Sequence, residues 1–170
     1  VSSNIIEYVT DEVVSVIMRF IREEIDNEDA ADLIDTSVHI ILTMSNMGYK
    51  AVTTLLSYEL LVETVAVCME KFPDSLSIQG AGIDILNNVA RDAHSRKDVC
   101  QKGGPRRIIA TMDNLEHDPI VVCKSFVAFT NLVNGASDEF LHEVRAPVIF
   151  VRAMNNHPQN LYIQTVAINA

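Results

Sequence analysis

Val65-Ala66-Val67-Cys68-Met69-Glu70-Lys71-Phe72-Pro73, followed by Ile78-Gln79, decides the fold because it comes back twice. The second copy reads Ile108-Ile109-Ala110-Thr111-Met112-Asp113, followed by Val121-Val122. The third is Phe150-Val151-Arg152-Ala153-Met154-Asn155-Asn156-His157-Pro158, followed by Ile163-Gln164. Each copy carries an apolar pair, a methionine at the same phase, a proline-bearing break and a second apolar run. The methionines stand 43 and 42 residues apart. A fixed period of that size predicts helical units that stack into a continuous core, since one unit cannot bury its apolar faces alone. It turns the search from catalytic pockets to binding surfaces.

Apolar spacing between Leu55 and Ala170 is helical, and strict alternation never lasts long enough to argue for a strand. Gly103-Gly104-Pro105 ends one helix and opens another, because glycine terminates helices cheaply and proline suits a first turn. Asp118-Pro119 reads as an N-cap followed by proline, and Pro73-Asp74-Ser75 and His157-Pro158-Gln159 punctuate at the matching phase. Three segments per unit align. A short first helix carries Leu56, Val99 and Leu141; a second carries Met69, Met112 and Met154 as core residues; a third runs over Ile78–Ala90 and Ile120–Val133. Val13–Ile21 and Val38–Met44 read as the second and third helices of a divergent first unit, separated by the acidic stretch Glu23–Asp35. The expected organisation is a divergent unit at 1–50 and units at 51–95, 96–137 and 138–170, the last incomplete, in one array. The start at Val1-Ser2-Ser3-Asn4 and the unfinished run Tyr162–Ala170 read as cuts from a longer chain.

The chain has 170 residues, enough for a substantial core, and no apolar run approaches the roughly 20 residues that span a membrane. Net charge is −10; residues 1–50 hold ten acids against Arg19, Arg22 and Lys50. Such a balance argues against nucleic-acid binding, which needs clustered cations to displace counterions. Cys68, Cys100 and Cys123 lack metal-ligand spacing. Cys68 and Cys123 fall in apolar helical runs and read as buried thiols, which points to a reducing, cytoplasmic location, with the nucleus as the alternative.

Ile85-Leu86-Asn87-Asn88-Val89-Ala90 and Ala128-Phe129-Thr130-Asn131-Leu132-Val133 resemble the ending of the armadillo third helix. Cys100-Gln101-Lys102-Gly103-Gly104-Pro105 is similar to the family's step between first and second helices. The resemblance covers Leu55–Ala170 well and Val1–Lys50 weakly. It implies an all-α, right-handed α-solenoid of about four three-helix armadillo repeats, with third helices lining a concave groove. It also implies that Asn88 and Asn131 hold the backbone of an extended partner peptide, an amide offering both donors and an acceptor. Neighbouring turns of the same face add Asp84, Asn87, Arg91 and Asn134. The nuclear-import members pair this asparagine with a tryptophan four residues earlier. Asp84 and Val127 stand there instead and the chain has no tryptophan, so binding of classical nuclear-localisation signals is not expected. The alternative role for Asn88 and Asn131 is to cap or bridge neighbouring third helices.

Six bases between Arg91 and Arg107 face only Asp92 and Asp98. Arg96, Lys97, Arg106 and Arg107 could grip an acidic partner; a solvated loop between units explains the cluster as well. Asp113, Glu116 and Asp118 read as a surface cluster, and His117 and His157 as residues meeting helix-end carbonyls. His39, His94 and His142 are scattered, Gly80-Ala81-Gly82 lies within a helix rather than in a phosphate loop, and no catalytic triad is legible. No enzyme activity, cofactor or metal is expected. The expected function is a non-catalytic scaffold or adaptor binding an extended peptide or a helix, with self-association through exposed solenoid ends as an added option. The alternative is a structural spacer within a larger scaffold.

Overall fold

A computed structural model describes residues 10–91, 93–133 and 144–169. They form ten α-helices, one 3-10 turn and no strand. In chain order these are α1 (Asp11–Glu24), the turn Glu28–Ala30, α2 (Ala31–Asn46), α3 (Tyr49–Ser57) and α4 (Leu61–Lys71). Next come α5 (Leu76–Val89), α6 (Ala93–Gln101) and α7 (Gly104–Asn114). The last are α8 (Pro119–Leu132), α9 (Ala146–Asn156) and α10 (Leu161–Ile168).

The third-helix starts repeat one chemical device. Ser75, Asp118 and Asn160, spaced by one period, accept backbone N–H bonds as the N-caps of α5, α8 and α10. Proline occupies the first turn of α7, α8 and α9, where its missing N–H costs nothing. Gly103 before α7 has φ +84°, and Arg145, one period later, holds φ +58°. A side chain in that region costs roughly 1–2 kcal/mol, so the turn geometry is kept even where glycine is absent.

Packing follows the same period. The second helices α1, α4, α7 and α9 each touch the next, and so do the third helices α2, α5, α8 and α10. Within each unit the second helix packs on the third, and the core lies between the two rows. Met69 and Met112 are buried in it, and Met154 is half-buried. Phe150 meets Phe126 and Phe129 edge-on, with ring centroids 4.7 and 5.2 Å away. Polar bonds between units join residues about one period apart. Lys102 Nζ donates to the Glu59 carbonyl (2.6 Å), Asn114 Nδ2 to that of Pro73 (3.0 Å), and His157 Nε2 lies 2.9 Å from that of Glu116.

The Ile-Gln step has a defined task. Gln79 Nε2 donates to the carbonyls of Met69 (2.5 Å) and Phe72 (2.9 Å). Gln164 does the same to Met154 (2.9 Å) and His157 (3.0 Å). Each glutamine thus satisfies carbonyls at its second helix's C-terminus, which otherwise lack partners.

Several expectations need correction. The boundaries at 50/51 and 95/96 fall inside α3 and α6, which start at Tyr49 and Ala93. Leu56 is half-buried and Leu55 is the fully buried residue equivalent to Val99. The reason is one extra residue between α3 and α4 compared with α6 and α7, which shifts the first helix by one position. Leu141 lies outside the described residues. No single described helix is long and apolar enough to cross a membrane.

Candidate functional site

Third helices bury one residue at the start of each: Ile34, Ile78, Val121 and Ile163. On a helix the preceding residue turns about 100° away. Those residues are Leu33 (57 % exposed), Ser77, Ile120 (66 %) and Tyr162 (61 %), one per helix. Two turns on, Ile41, Ile85 and Ala128 are buried, and Ile40, Asp84 and Val127 precede them on the outer side. Between α5, α8 and α10 this face holds a notch of about 480 Å³, lined by Ile120, Cys123, Val127 and Tyr162 with Asp84 and Lys124 at its edge.

Charge is nearly absent here. The four third helices contain four charged residues, Asp32, Asp35, Asp84 and Lys124, against thirteen in the four second helices. Asp84 and Lys124 pair with each other at 2.6 Å, and Asp35 lies 3.5 Å from His39. A surface that keeps large aliphatic and aromatic groups exposed while shedding charge has the composition of an interface core.

Nearer the C-terminal ends of the same helices runs a chain of amides. Asn88 Nδ2 donates to Ser45 Oγ (3.0 Å) and Asn46 Oδ1 (2.9 Å), and Asn88 Oδ1 accepts from Arg91 Nη2 (3.2 Å). Asn131 Nδ2 donates to Asn87 Oδ1 at 3.0 Å. Asn88, Asn131, Asp84, Asn87 and Arg91 therefore share one face, and the asparagines link neighbouring third helices. Asn134 lies outside the described residues.

The basic cluster is not a loop: Arg96 and Lys97 belong to α6, and Arg106 and Arg107 to the first turn of α7. Arg107 pairs with Glu70 at 2.8 Å, so a carboxylate from the last turn of α4 offsets the cation's unfavourable place at a helix N-terminus. Lys102 reaches Asp98 (3.2 Å) and Glu63 (3.6 Å). Asp113 and Glu116 both meet the Arg152 guanidinium, while Asp118 caps α8 and His117 stands exposed beside Glu116. Among the described residues no three His, Cys, Asp or Glu side chains converge on a metal position.

Cysteine environments differ. Burial pushes the Cys68 thiol up to about 12. Cys100 donates to the Leu132 carbonyl (3.1 Å), and burial raises its pKa against the pull of Arg96. Burial also raises Cys123, yet this residue is half-exposed on the notch and not sealed in the core as expected. Its α8 neighbours Val122 and Phe126 occupy the core-facing side instead.

Comparison with protein-family models, with curated proteins and with solved structures found no match.

Sequence reasoning overlooked Leu33, Ile40, Ile120, Lys124 and Tyr162. Their signal was present: each apolar residue stands one place before a buried, repeat-phased position. A helix whose apolar arc is wider than its core contact leaves such residues outside.

Proposed function

We propose that this chain is a non-catalytic protein-recognition module of the armadillo type, a solenoid whose third-helix row receives a partner polypeptide. The observation carrying the reading is the low-charge face with Leu33, Ile40, Ile120 and Tyr162 exposed beside the notch. The second helices α1, α4 and α7 carry twelve charged residues, whereas the third helices carry four and leave large apolar groups uncovered, a composition that suits contact with another surface. Inter-unit bonds between residues about one period apart support the solenoid. The apolar line anchors the partner, with the Asp84–Lys124 pair and the Asn87 region as its polar edge.

A structural spacer is the second reading, and the amide chain favours it, because Asn88 and Asn131 hold neighbouring helices together. Unbiased peptide-array screening separates the two. For a recognition module, bound sequences are lost with Ile120→Ser plus Tyr162→Ser, exposed positions whose replacement leaves the melting temperature within a few degrees. A spacer captures no sequence that depends on those two residues.

A further inference from the structure

We infer that the notch between α5, α8 and α10 takes one uncharged apolar side chain of the partner, flanked by main-chain carbonyls that accept from Asn87 and Asn160, an inference that rests on the recognition reading above. Size is the first support. At about 480 Å³ the notch lies toward the low end of the range for ligand pockets, about 300–1,000 Å³, so it admits a single large side chain and not a folded element. Ile120, Cys123, Val127 and Tyr162 line it without a charge among them. The charged pair at its edge is already engaged, since Lys124 Nζ donates to Asp84 Oδ2 at 2.6 Å. Arg91, exposed four residues beyond Asn87 and outside the notch, holds Asn88 Oδ1 at 3.2 Å and adds positive charge on that side. A lysine entering the notch therefore finds its one carboxylate taken and faces Lys124 and, farther out, Arg91. A glutamate gives up water against an apolar lining while Lys124 is held by Asp84. Either charge is costly there; an aliphatic or aromatic group is not.

Two amides set what must lie beside that side chain. Asn131 Nδ2 donates to Asn87 Oδ1 at 3.0 Å, and Ile163 N donates to Asn160 Oδ1 at 3.1 Å. Asn87 and Asn160 both border the notch, and with their oxygens engaged their N–H donors are the groups left open. Neither Nδ2 has a hydrogen-bond partner among the described residues. Asn88 Nδ2, by contrast, is spent on Ser45 and Asn46, and Asn131 Nδ2 on Asn87. The complement of an apolar hollow edged by uncharged donors is an apolar side chain edged by carbonyl acceptors. A helical segment uses its carbonyls internally, whereas an extended one keeps them free. The occupant is thus an extended stretch around one apolar anchor.

Disulfide exchange at Cys123, which borders the notch, tests this on the whole chain with three symmetric N-acyl cystamine probes. All share the thiol and an amide carbonyl; the acyl groups are isohexanoyl, aminovaleryl and glutaryl. The Cys123 thiolate attacks a probe disulfide, forms a mixed disulfide and releases the other half as its thiol. Added β-mercaptoethanol reverses capture, and mass spectrometry of proteolytic fragments assigns the cysteine. Relative to the urea-unfolded chain, the isohexanoyl group should survive at least about tenfold more β-mercaptoethanol than either charged group. Ile120→Ser should remove that preference. Asn160→Ser keeps an oxygen for the α10 cap and Asn87→Asp keeps one for Asn131, yet each removes the N–H donors and should weaken isohexanoyl capture several-fold. Asn155→Ser, exposed on α9, should not. Equal retention of a charged probe, retention no better than in the unfolded chain, an unchanged preference in the Ile120→Ser chain, or indifference to both amide substitutions overturns the inference. Array-selected sequences that still require Ile120 and Tyr162 would then leave the recognition reading standing; insensitivity of every bound sequence to those two residues removes it, and the inference with it.

Discussion

Met112 is fully buried at the centre of the repeat, and its loss tests the phase on which the fold depends. Met112→Ala should cost about 2–5 kcal/mol in urea denaturation, as a large-to-small change in a packed core. Half-buried Met154 should cost less when replaced in the same way. Its counterpart Met69 is pressed from the other side by a glycine: a Cβ on Gly82 would lie 2.6 Å from Met69 Cγ. Gly82→Ala should therefore forfeit the ~1 kcal/mol that alanine usually brings to a helix interior and come out destabilising by up to about 2 kcal/mol, because Met69 must shift. Cys68 supplies a pH test. Its thiol pKa rises from 9.0 to about 12 on folding, so the unfolded chain ionises first as pH climbs. The neutral thiol's contribution is complete below pH 9 and is lost as pH rises toward 12, at up to about 1.4 kcal/mol per unit. Cys68→Ala should lack that slope; an identical pH profile in the two proteins would contradict the burial of this thiol.

Helix ends show where local chemistry could be read and where it could not. Asp118 accepts from Ile120 N (2.9 Å) and Val121 N (2.8 Å), as the Asp-Pro step predicted. Asp118→Ala should cost about 0.5–2 kcal/mol, measured by thermal melting, with Asn restoring most of it. The proline and glycine breaks were legible because their backbone limits act within two or three residues. First-helix register was not, since a single extra residue between α3 and α4 moves Leu55 into the place expected of Leu56. Arg145 hid a left-handed turn for a similar reason: φ +58° on a non-glycine residue leaves no composition signal. Arg96 and Lys97 read as loop from their charge, but both belong to α6, where Lys97 is exposed, Arg96 is half-buried with its Nε enclosed, and Val99 is buried.

Across the molecule, the period was visible because burial recurs at fixed phase, whereas the candidate face was missed: its signal is only an apolar residue one place before each buried position, with no repeated residue type. Leu33, Ile120 and Tyr162 share an exposed apolar place but no residue type, and Ser77 interrupts them. The asparagines were found by motif, yet their bonding depends on Ser45, Asn46 and Asn87, residues 42 to 44 positions away, which only the stacked helices bring close. Asn88→Ala plus Asn131→Ala should therefore destabilise by about 1–3 kcal/mol in denaturant titration. Binding lost in that double variant without any loss of stability would return the amides to the partner. The most direct measurement of the central claim is methyl and amide chemical-shift mapping of the labelled chain with a sequence taken from the unbiased array. The predicted result is perturbation at Leu33, Ile40, Ile120, Val127 and Tyr162. Shifts gathered instead around Val67, Val148 and Val151, on the second-helix side, would contradict it.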